Sequence, residues 1–456
     1  MLALGLLAGC MHYTPAPVAI EVHAVQRMQA GLDHTRIDAT VRRIAPDAPT
    51  ASGLDSLALF AALLDLDPKV IQARAAIATA EAEARASRHA VGPTFTLSSE
   101  YAHDPATSSP WLLGGAVDVP LDIGGQRGAR LGRADLAVAI ARYDYAEVLW
   151  ADRMALRRAL TDGAIAHAQI ALGIETATLR DRQIAALERQ AAAGELAGAA
   201  LSPYRALRAQ EARALDDARA RAAAARATIV ATLGLPLTAL ADDAIIWPDI
   251  SAAAPDPSAA ITPDMRAKAV AGRADVLRAL AGYDQTDADV RLEIARQYPA
   301  ISLGPGYTWE RGLVKLPLAV NLALPNFDLN RSAIRAALAK RDEAGAAIES
   351  ALAGAQGEID AALVERRAAA QALDRLQNGE LPQVEASARQ AEARLARGQI
   401  ARAEWVDAQL AVHTTRLALL DALARVQAAD AALENSMRRP LAGPETMIRP
   451  ERLEAR

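Results

Sequence analysis

Large apolar residues recur at two different spacings along this chain, and each spacing predicts a different element. From Val314 to Leu324 they alternate with polar or small residues, which predicts a strand with one apolar face. Between Ile348 and Leu363 they are separated by four, seven and four residues, which predicts a helix that packs through a coiled-coil-like seam. The chain therefore combines half-apolar strands with long helices.

The same order of elements occurs twice. Strand candidates at 93–101 and 111–120 lead to a Pro-plus-Asp junction and a long helix, and strand candidates at 299–307 and 313–324 do the same. Three pairs of landmarks are each 206 residues apart: Pro93 and Pro299, Tyr101 and Tyr307, and Asp122 and Asp328. A duplicated unit of hairpin and helices buries its faces best against further units, so the duplication predicts closure by repetition.

Two Ala-rich runs predict very long helices, from Gly128 to about Ala193 and from Arg331 to about Arg397. Each run ends at a glycine, and a return helix is expected to follow over 201–233 and 401–437. A continuous helix of roughly 65 residues would be about 95 Å long, which suits a tube or stalk rather than a compact domain. Glycines and Pro382 are expected to bend or break the second run.

These patterns divide the chain into six predicted segments. They are a lipoprotein signal segment (1–10), an extended N-terminal tail (11–53), a first repeat of helix, β-hairpin, long helix and return helix (54–236), a linker (237–263), a second repeat (264–437) and an irregular C-terminal tail (438–456). Within the first repeat, Pro68 is expected to divide the helix predicted over 55–90.

Composition supports long helices and excludes one class of partner. The chain is 52% hydrophobic but only 4% aromatic, and Ala is the largest single contributor to the apolar count, which favours closely packed helices over a thick core. The formal net charge is −5, and basic residues are scattered among acidic ones. This pattern gives no electrostatic basis for nucleic-acid binding.

The single cysteine, Cys10, follows an apolar run and stands in the sequence Leu7-Ala8-Gly9-Cys10. Small residues before a cysteine suit a signal peptidase cleft, so Cys10 is predicted to be lipidated and to anchor the protein in a membrane. The alternative is an incidental or buried cysteine, and the absence of Lys or Arg before the apolar run counts for it. Met11 after the cysteine favours sorting to the outer membrane.

The order and duplication of these elements resemble the TolC-like outer-membrane efflux channel family, including its lipid-anchored members. The resemblance covers about 54–437, and its most specific stretches are 120–127 and 398–409. It implies an α+β, mainly α fold: a homotrimer whose long helical hairpins form a periplasmic α-barrel, and whose strand hairpins form a shared 12-stranded transmembrane β-barrel.

The resemblance also implies a function. The protein would be the outer-membrane channel of a tripartite efflux pump, a passive gated conduit for small molecules or ions with a large periplasmic portion. Its partners would be outer-membrane lipid, an inner-membrane transporter and a periplasmic adaptor protein; the adaptor-facing helix tips would carry Gly194, Glu195, Gly398 and Gln399. Two alternatives remain at this stage: the outer-membrane component of a protein secretion system, and a soluble periplasmic helical adaptor or scaffold.

Acidic residues after the second glycine turn are the candidate pore constriction. By position in the family, Glu404 and Asp407 of three subunits would ring the periplasmic entrance of the channel. Their alternative role is that of solvated acids in the first turn of a helix, where negative charge suits the helix dipole. Arg205 of the first copy is a possible gate latch that would pair with either acid, or else an ordinary surface arginine.

No catalytic or metal-binding constellation is recognisable in the sequence. The seven histidines form no close pair at metal-ligand spacing, and neither a Gly-x-Ser-x-Gly elbow nor a dinucleotide fingerprint occurs. The sequence therefore predicts no enzyme, no cofactor and no metal site. Asp122 and Asp328 are expected to cap helices, which is a structural role.

Overall fold

A computed structural model describes residues 13–49, 53–89, 92–101, 109–241, 244–250, 261–310, 312–324 and 327–453. Cys10, the predicted lipidation site, lies outside these residues. The fold is mainly helical with a set of antiparallel strands, which confirms the predicted fold class at this level. Among the described helices, none is both long and apolar enough to cross a membrane.

Eleven helices and five strands are assigned within these residues. The helices are α1 Ile20–Met28, α2 His34–Ile44, α3 Ser56–Leu66, α4 Pro68–Ser87, α5 Gln126–Ala192, α6 Ser202–Thr232, α7 Pro263–Gly272, α8 Ala274–Ala295, α9 Arg331–Asp374, α10 Leu381–Ala396 and α11 Arg402–Met437. The strands are β1 Thr94–Tyr101, β2 Trp111–Leu121, β3 Ala300–Glu310, β4 Leu313–Lys315 and β5 Leu318–Ala323.

The N-terminal segment is not an extended tail, so that prediction was wrong. It forms α1 and α2, and Asp33 caps α2 by accepting a hydrogen bond from the backbone N–H of Arg36. Ile37 and Ile44 of α2 are buried in the main hydrophobic core around α3. Burial of one face stabilises this short helix, and the few apolar positions within it were too sparse to show a period.

Pro68 divides the first predicted helix into α3 and α4, as expected. Asp67 ends α3 and caps α4, because its side chain accepts a hydrogen bond from the backbone N–H of Lys69 at 2.8 Å. Pro68 then occupies the first position of α4, where the missing N–H costs no helical hydrogen bond.

The strands form one antiparallel sheet in which the two copies meet. β1 pairs with β2, β2 pairs with β3, and β3 pairs with both β4 and β5. The β2–β3 pairing joins the first copy to the second, with Leu113 opposite Trp309 and Gly115 opposite Tyr307. Neither hairpin is therefore an independent unit.

One predicted strand is broken. The alternation from Val314 to Leu324 predicted a single strand, whereas the structure has β4 and β5 separated at Leu316 and Pro317. Proline has no N–H to donate to the ladder, and the carbonyl of Pro317 instead accepts a 2.8 Å bond from the N–H of Gly306. The alternation of faces continues across the break.

Asp122 and Asp328 stabilise the two junctions between sheet and helix, as predicted. Asp122 accepts hydrogen bonds from the backbone N–H groups of Gln126 and Arg127, at 3.1 and 2.7 Å. Asp328 accepts bonds from the backbone and the hydroxyl of Ser332, and these bonds hold the pKa of Asp328 below its ordinary value. Each carboxylate thus supplies acceptors for N–H groups that a helix start leaves unpaired.

The long helices follow the prediction, with one difference. α5 has 67 residues and is therefore about 100 Å long. The second run contains a π-helical turn over Arg375–Glu380, just before Pro382, while Gly354 and Gly357 lie inside the uninterrupted α9. The proline is accommodated near the start of α10, so helical structure continues past it.

A buried ionic cluster ties the C-terminal segment to the helices. Arg153 of α5 contacts Glu434 of α11 at 2.5 Å and also pairs with Glu445, while Arg157 contacts Glu434 at 2.5 Å. Glu434 is completely buried. The segment after α11 forms two short 3-10 turns, and Arg449 then bonds to the end of α2 through the carbonyl of Ile44.

The described part of the linker packs across α5. Residues Leu54 and Ile245 form a parallel β-bridge, and the ring of Trp247 lies over Gly163 and against His167. A Cβ at Gly163 would come within 2.0 Å of the Trp247 ring. Gly163 therefore permits the close approach of the linker to the helix.

Candidate functional site

The helix tips are two glycine turns of the same geometry. Gly194 and Gly398 have φ of +77° and +69°, a region that glycine adopts without strain. After each glycine the next backbone N–H reaches back to the helix: Glu195 donates to the carbonyl of Gln190 and Gln399 donates to that of Arg394, both at 2.9 Å. These are Schellman motifs, and all four predicted tip residues are exposed.

The two tips differ in length. The first continues through a 3-10 turn over Gly198–Leu201 before α6 begins at Ser202. The second passes directly into α11 at Arg402. The two copies therefore share a fold but present different surfaces at this end of the molecule.

Glu404 and Asp407 lie in the first two turns of α11, and both are exposed. The structure brings Asp407 to the other copy: its Oδ1 accepts a 2.6 Å hydrogen bond from the amide of Gln183 on α5. Gln183 is completely buried. Asp407 is thus held by α5 from one side while its charge faces solvent from the other.

Arg180 extends this contact to the return helix α6. Its guanidinium donates to Oε1 of Gln183 at 2.7 Å and to Oε1 of Glu211 at 2.8 and 3.0 Å. The amide oxygen of Gln183 is therefore occupied by Arg180, which orients its NH₂ group toward Asp407. A chain of hydrogen bonds runs from α6 through α5 to α11 near the tips.

The same relationship repeats along α5 at intervals of seven residues. We call this set the polar seam: Gln183 with Asp407 at 2.6 Å, Thr176 with His413 at 3.0 Å, and Gln169 with Asp421 at 3.0 Å. Seven-residue spacing keeps residues on one side of a helix. Sequence reasoning missed the seam, although polar residues at positions 169, 176 and 183 were a visible signal.

His413 is the one titratable ring in the polar seam. The hydroxyl of Thr176 donates to the carbonyl of Leu172 at 2.7 Å, so it must accept from Nδ1–H of His413. Burial lowers the pKa of His413, with a smaller opposing effect from Glu175. The ring is consequently a neutral donor that is orientated by α5.

Arg205 does not reach the acids within one protomer. It lies on α6 and donates to Oε1 of Glu188 on α5 at 2.8 Å, an exposed pair inside the first hairpin. The predicted pairing with Glu404 or Asp407 is therefore not made inside the chain, where Gln183 occupies Asp407 instead. A latch between protomers stays a prediction.

No group of three or more His, Cys, Asp or Glu side chains that could hold a metal ion occurs in the part of the chain that the structure describes. Near the tips, Gln183 pairs with Asp407 and Arg205 pairs with Glu188. These contacts can hold the two helical hairpins together or, when broken, let them separate. Glu404 and Asp407 also present their carboxylates to solvent.

Part of the chain matches a known protein family. Residues 266–437, which include α8–α11 and both candidate acids, match the family model described as outer membrane efflux protein. Glu404, Asp407 and the second tip lie in the part of the chain that the family model matches.

A curated relative of the chain is the cobalt-zinc-cadmium resistance protein CzcC of Cupriavidus metallidurans. The two are 25% identical over 230 residues, which is 50% of this chain and 53% of CzcC. The match thus spans about half the length of the relative.

Solved structures show the fold over nearly the whole chain. The outer-membrane channel OprN superposes with a TM-score of 0.70 at 19% identity, over 95% of this chain and 99% of that one. The outer membrane protein VceC of Vibrio cholerae gives 0.69 at 18% identity, over 84% and 96%. The open state of the Neisseria gonorrhoeae MtrE outer membrane channel gives 0.68 at 15% identity, over 88% and 96%. At these identities the likeness establishes the fold alone.

Proposed function

We propose that this protein is the outer-membrane channel of a tripartite efflux system, a gated conduit that exports small solutes or ions and catalyses no reaction. The observation that carries the proposal is the two-faced sheet. Phe95, Leu97, Leu113, Val320 and Leu322 all stand on one face, and all are exposed in the protomer. An exposed apolar sheet face of this extent requires lipid or another apolar partner.

Aromatic side chains on the same face support a membrane location for the sheet. Tyr101 packs edge-on against Trp111 with ring centroids 5.1 Å apart, and Tyr307 and Trp309 lie on neighbouring positions of β3 at the same end. At the opposite end, Phe327 is fully exposed beside the helix junction. Aromatic residues at both ends of an apolar band are typical of membrane-water interfaces.

The two edges of this sheet support assembly into a homotrimer. β1 lies at one edge, while β4 and β5 lie at the other, so the sheet has strands to pair on both sides. Unpaired backbone groups are not tolerated in lipid, and pairing among three copies would remove both edges. The long helices would then line a continuous periplasmic passage, and a lipid chain on Cys10 would hold the protein at the outer membrane.

The helix tips are the proposed docking site for the periplasmic adaptor, which in turn joins an inner-membrane transporter. They are exposed glycine turns at the end of helices about 100 Å long, far from the sheet. Divalent metal cations are the first cargo that we would test, because the curated relative carries cobalt, zinc and cadmium resistance in its name.

The experiment is membrane fractionation followed by conductance measurement. The purified protein should need detergent for extraction, migrate as a trimer on an unboiled gel and form discrete channels in a planar lipid bilayer. Cys10→Ser should abolish metabolic labelling with palmitate. Release of the folded wild-type protein by salt or alkaline washing without detergent would overturn the proposal in favour of a periplasmic scaffold.

A further inference from the structure

The face of the sheet opposite the apolar one is polar and carries three acids, Glu100, Asp118 and Glu310. Thr94, Thr96 and Ser98 of β1 share this face with Asp118 of β2, since Thr94 is the register partner of Asp118. Asn321 of β5 lies on the same face. In a closed sheet with lipid outside, this is the face that surrounds the conduit.

The carboxylate of Asp118 is held across three strands. Both of its oxygens lie 3.0 Å from the hydroxyl of Ser302 on β3, and Oδ1 also accepts a 2.9 Å bond from the amide of Asn321 on β5. To reach β5 the carboxylate passes over Gly304, where an added Cβ would stand 3.1 Å from Oδ1. The side chain therefore has a set direction rather than a free choice of rotamers.

Among the described residues, no Lys, Arg or His makes a salt bridge with Asp118, whereas Glu310 on the same face pairs with Lys315 toward the other end of the sheet. Ser302 and Asn321 are neutral donors that orient the carboxylate and leave its net charge intact. A side chain whose only role was to form hydrogen bonds between the strands would need no charge at this position.

We propose that Asp118 determines the charge preference of the sheet-enclosed part of the conduit, where it attracts hydrated cations and repels anions. This inference rests on the proposed channel function. Three protomers would bring three such carboxylates to one height, four residues before the Asp122 junction on each β2. Ser302 and Asn321 are the positioning residues of this arrangement.

The test compares two variants that disturb the same hydrogen bonds with and without loss of charge. Asp118→Asn keeps the size and the acceptor oxygen but removes the charge, and Ser302→Ala removes a donor and keeps the charge. Reversal potentials across bilayers in KCl gradients give the K⁺/Cl⁻ permeability ratio. We expect Asp118→Asn to lower this ratio at least about twofold near 0.1 M KCl and much less near 1 M, because the Debye length falls from about 10 Å to about 3 Å. Ser302→Ala should leave the ratio near the wild-type value.

If the Asp118→Asn variant fails to assemble, Asn321→Asp tests the opposite change, because it adds a negative charge instead of removing one. It adds a carboxylate in the row next to Asp118 and should raise the ratio. The same variants should also be measured in a protein that carries Glu404→Gln and Asp407→Asn. This protein lacks the two tip charges, which would otherwise also affect the permeability ratio of the conduit.

The outcomes separate the inference from the proposed function. Conducting trimers with an unchanged ratio in Asp118→Asn or Asn321→Asp would overturn the role of Asp118 and leave the channel intact. Equal changes in Asp118→Asn and Ser302→Ala would assign Asp118 a structural role only. A wild-type protein that forms no channels would overturn the proposed function and this inference together.

Discussion

The buried amide of Gln183 on α5 donates a 2.6 Å hydrogen bond to the carboxylate of Asp407 on α11. This bond joins a helix of the first repeat to a helix of the second repeat, at the end of the molecule where both helical hairpins turn. Because Arg180 fixes the amide from the other side, the contact links three helices rather than two.

Gln183→Leu should loosen the tips. The substitution removes the donor to Asp407 and leaves the guanidinium of Arg180 with one partner fewer, so we expect a loss of about 1 to 3 kcal/mol in unfolding free energy. In bilayers, the variant should show a higher mean single-channel conductance than the wild type, since Asp407 is no longer held by α5.

Gln169→Leu is the matched control for this variant. It removes the corresponding bond to Asp421 in the polar seam, about 21 Å farther along α5 from the tips. It should lower stability by a similar amount and leave conductance unchanged. Equal conductance changes in both variants would show that general loosening, and not the Asp407 contact, controls the entrance.

Glu434→Gln should be strongly destabilising. Glu434 is fully buried between Arg153 and Arg157, so its neutralisation leaves buried guanidinium charge without a full counterion. Removing one partner of a buried ion pair costs about 3 to 5 kcal/mol. Thermal and denaturant unfolding of the detergent-solubilised protein measures the loss.

Asp216→Asn supplies the comparison, because Asp216 pairs with Arg219 on the exposed surface of α6. Such pairs contribute at most about 1 kcal/mol. If the two variants had the same unfolding midpoint, the buried cluster would not be the clamp between α5, α11 and the C-terminal segment.

Asp67→Asn should change the pH dependence of stability. Burial raises the pKa of Asp67 from 3.8 to about 6, and the neighbouring carboxylate of Asp152 adds to the effect. A raised pKa means that the folded state holds the proton more tightly than the unfolded state does. The stabilisation of the fold by protonated Asp67 is therefore complete below about pH 4 and is lost as the pH rises through 6. Asparagine retains an oxygen that can accept the bond from Lys69 and has no proton to lose.

The variant should therefore gain stability relative to the wild type between pH 4 and pH 7.5. The gain is at most about 3 kcal/mol, since one pKa unit corresponds to about 1.4 kcal/mol. Melting temperatures of both proteins across this range provide the measurement. Parallel curves for the two proteins would contradict the assignment.

Gly163→Ala should release the linker from α5. The added methyl group cannot coexist with the Trp247 ring at 2.0 Å, so the residues around Trp247 must move outward. Limited proteolysis should then cut the linker faster than in the wild type. Gly354→Ala is the control in α9: nothing lies within 4 Å of its added Cβ, so the substitution should stabilise the helix by about 1 kcal/mol and leave linker cleavage unchanged. Slow cleavage in both variants would show that Trp247 does not hold the linker.

Local signals predicted the elements whose physics is local. Gly194 and Gly398 end their helices because each adopts a positive φ, which a helix cannot continue through. Pro68 divides α3 from α4 because proline suits only the first turn of a helix. The strand alternation around Val320 survives in β5 because successive side chains must point to opposite faces.

The failures were non-local. α1 and α2 carried too little periodicity to be predicted, and α2 is stabilised by burial against α3. Arg205 bonds to Glu188 on the neighbouring helix of its own hairpin, a contact that no local pattern indicated, and its role as a latch between protomers stays a prediction.

The sequence by itself determined the duplicated order of strands and helices, the glycine tips and the capped junctions, because turns, caps and face alternation depend on residues a few positions apart. Only the tertiary structure decided which polar groups meet. Gln183 with Asp407, Arg153 with Glu434, and Asp118 with Asn321 are each separated by more than 200 residues. A buried polar group must find its partner wherever the packing of the chain supplies one, and no local pattern encodes that choice.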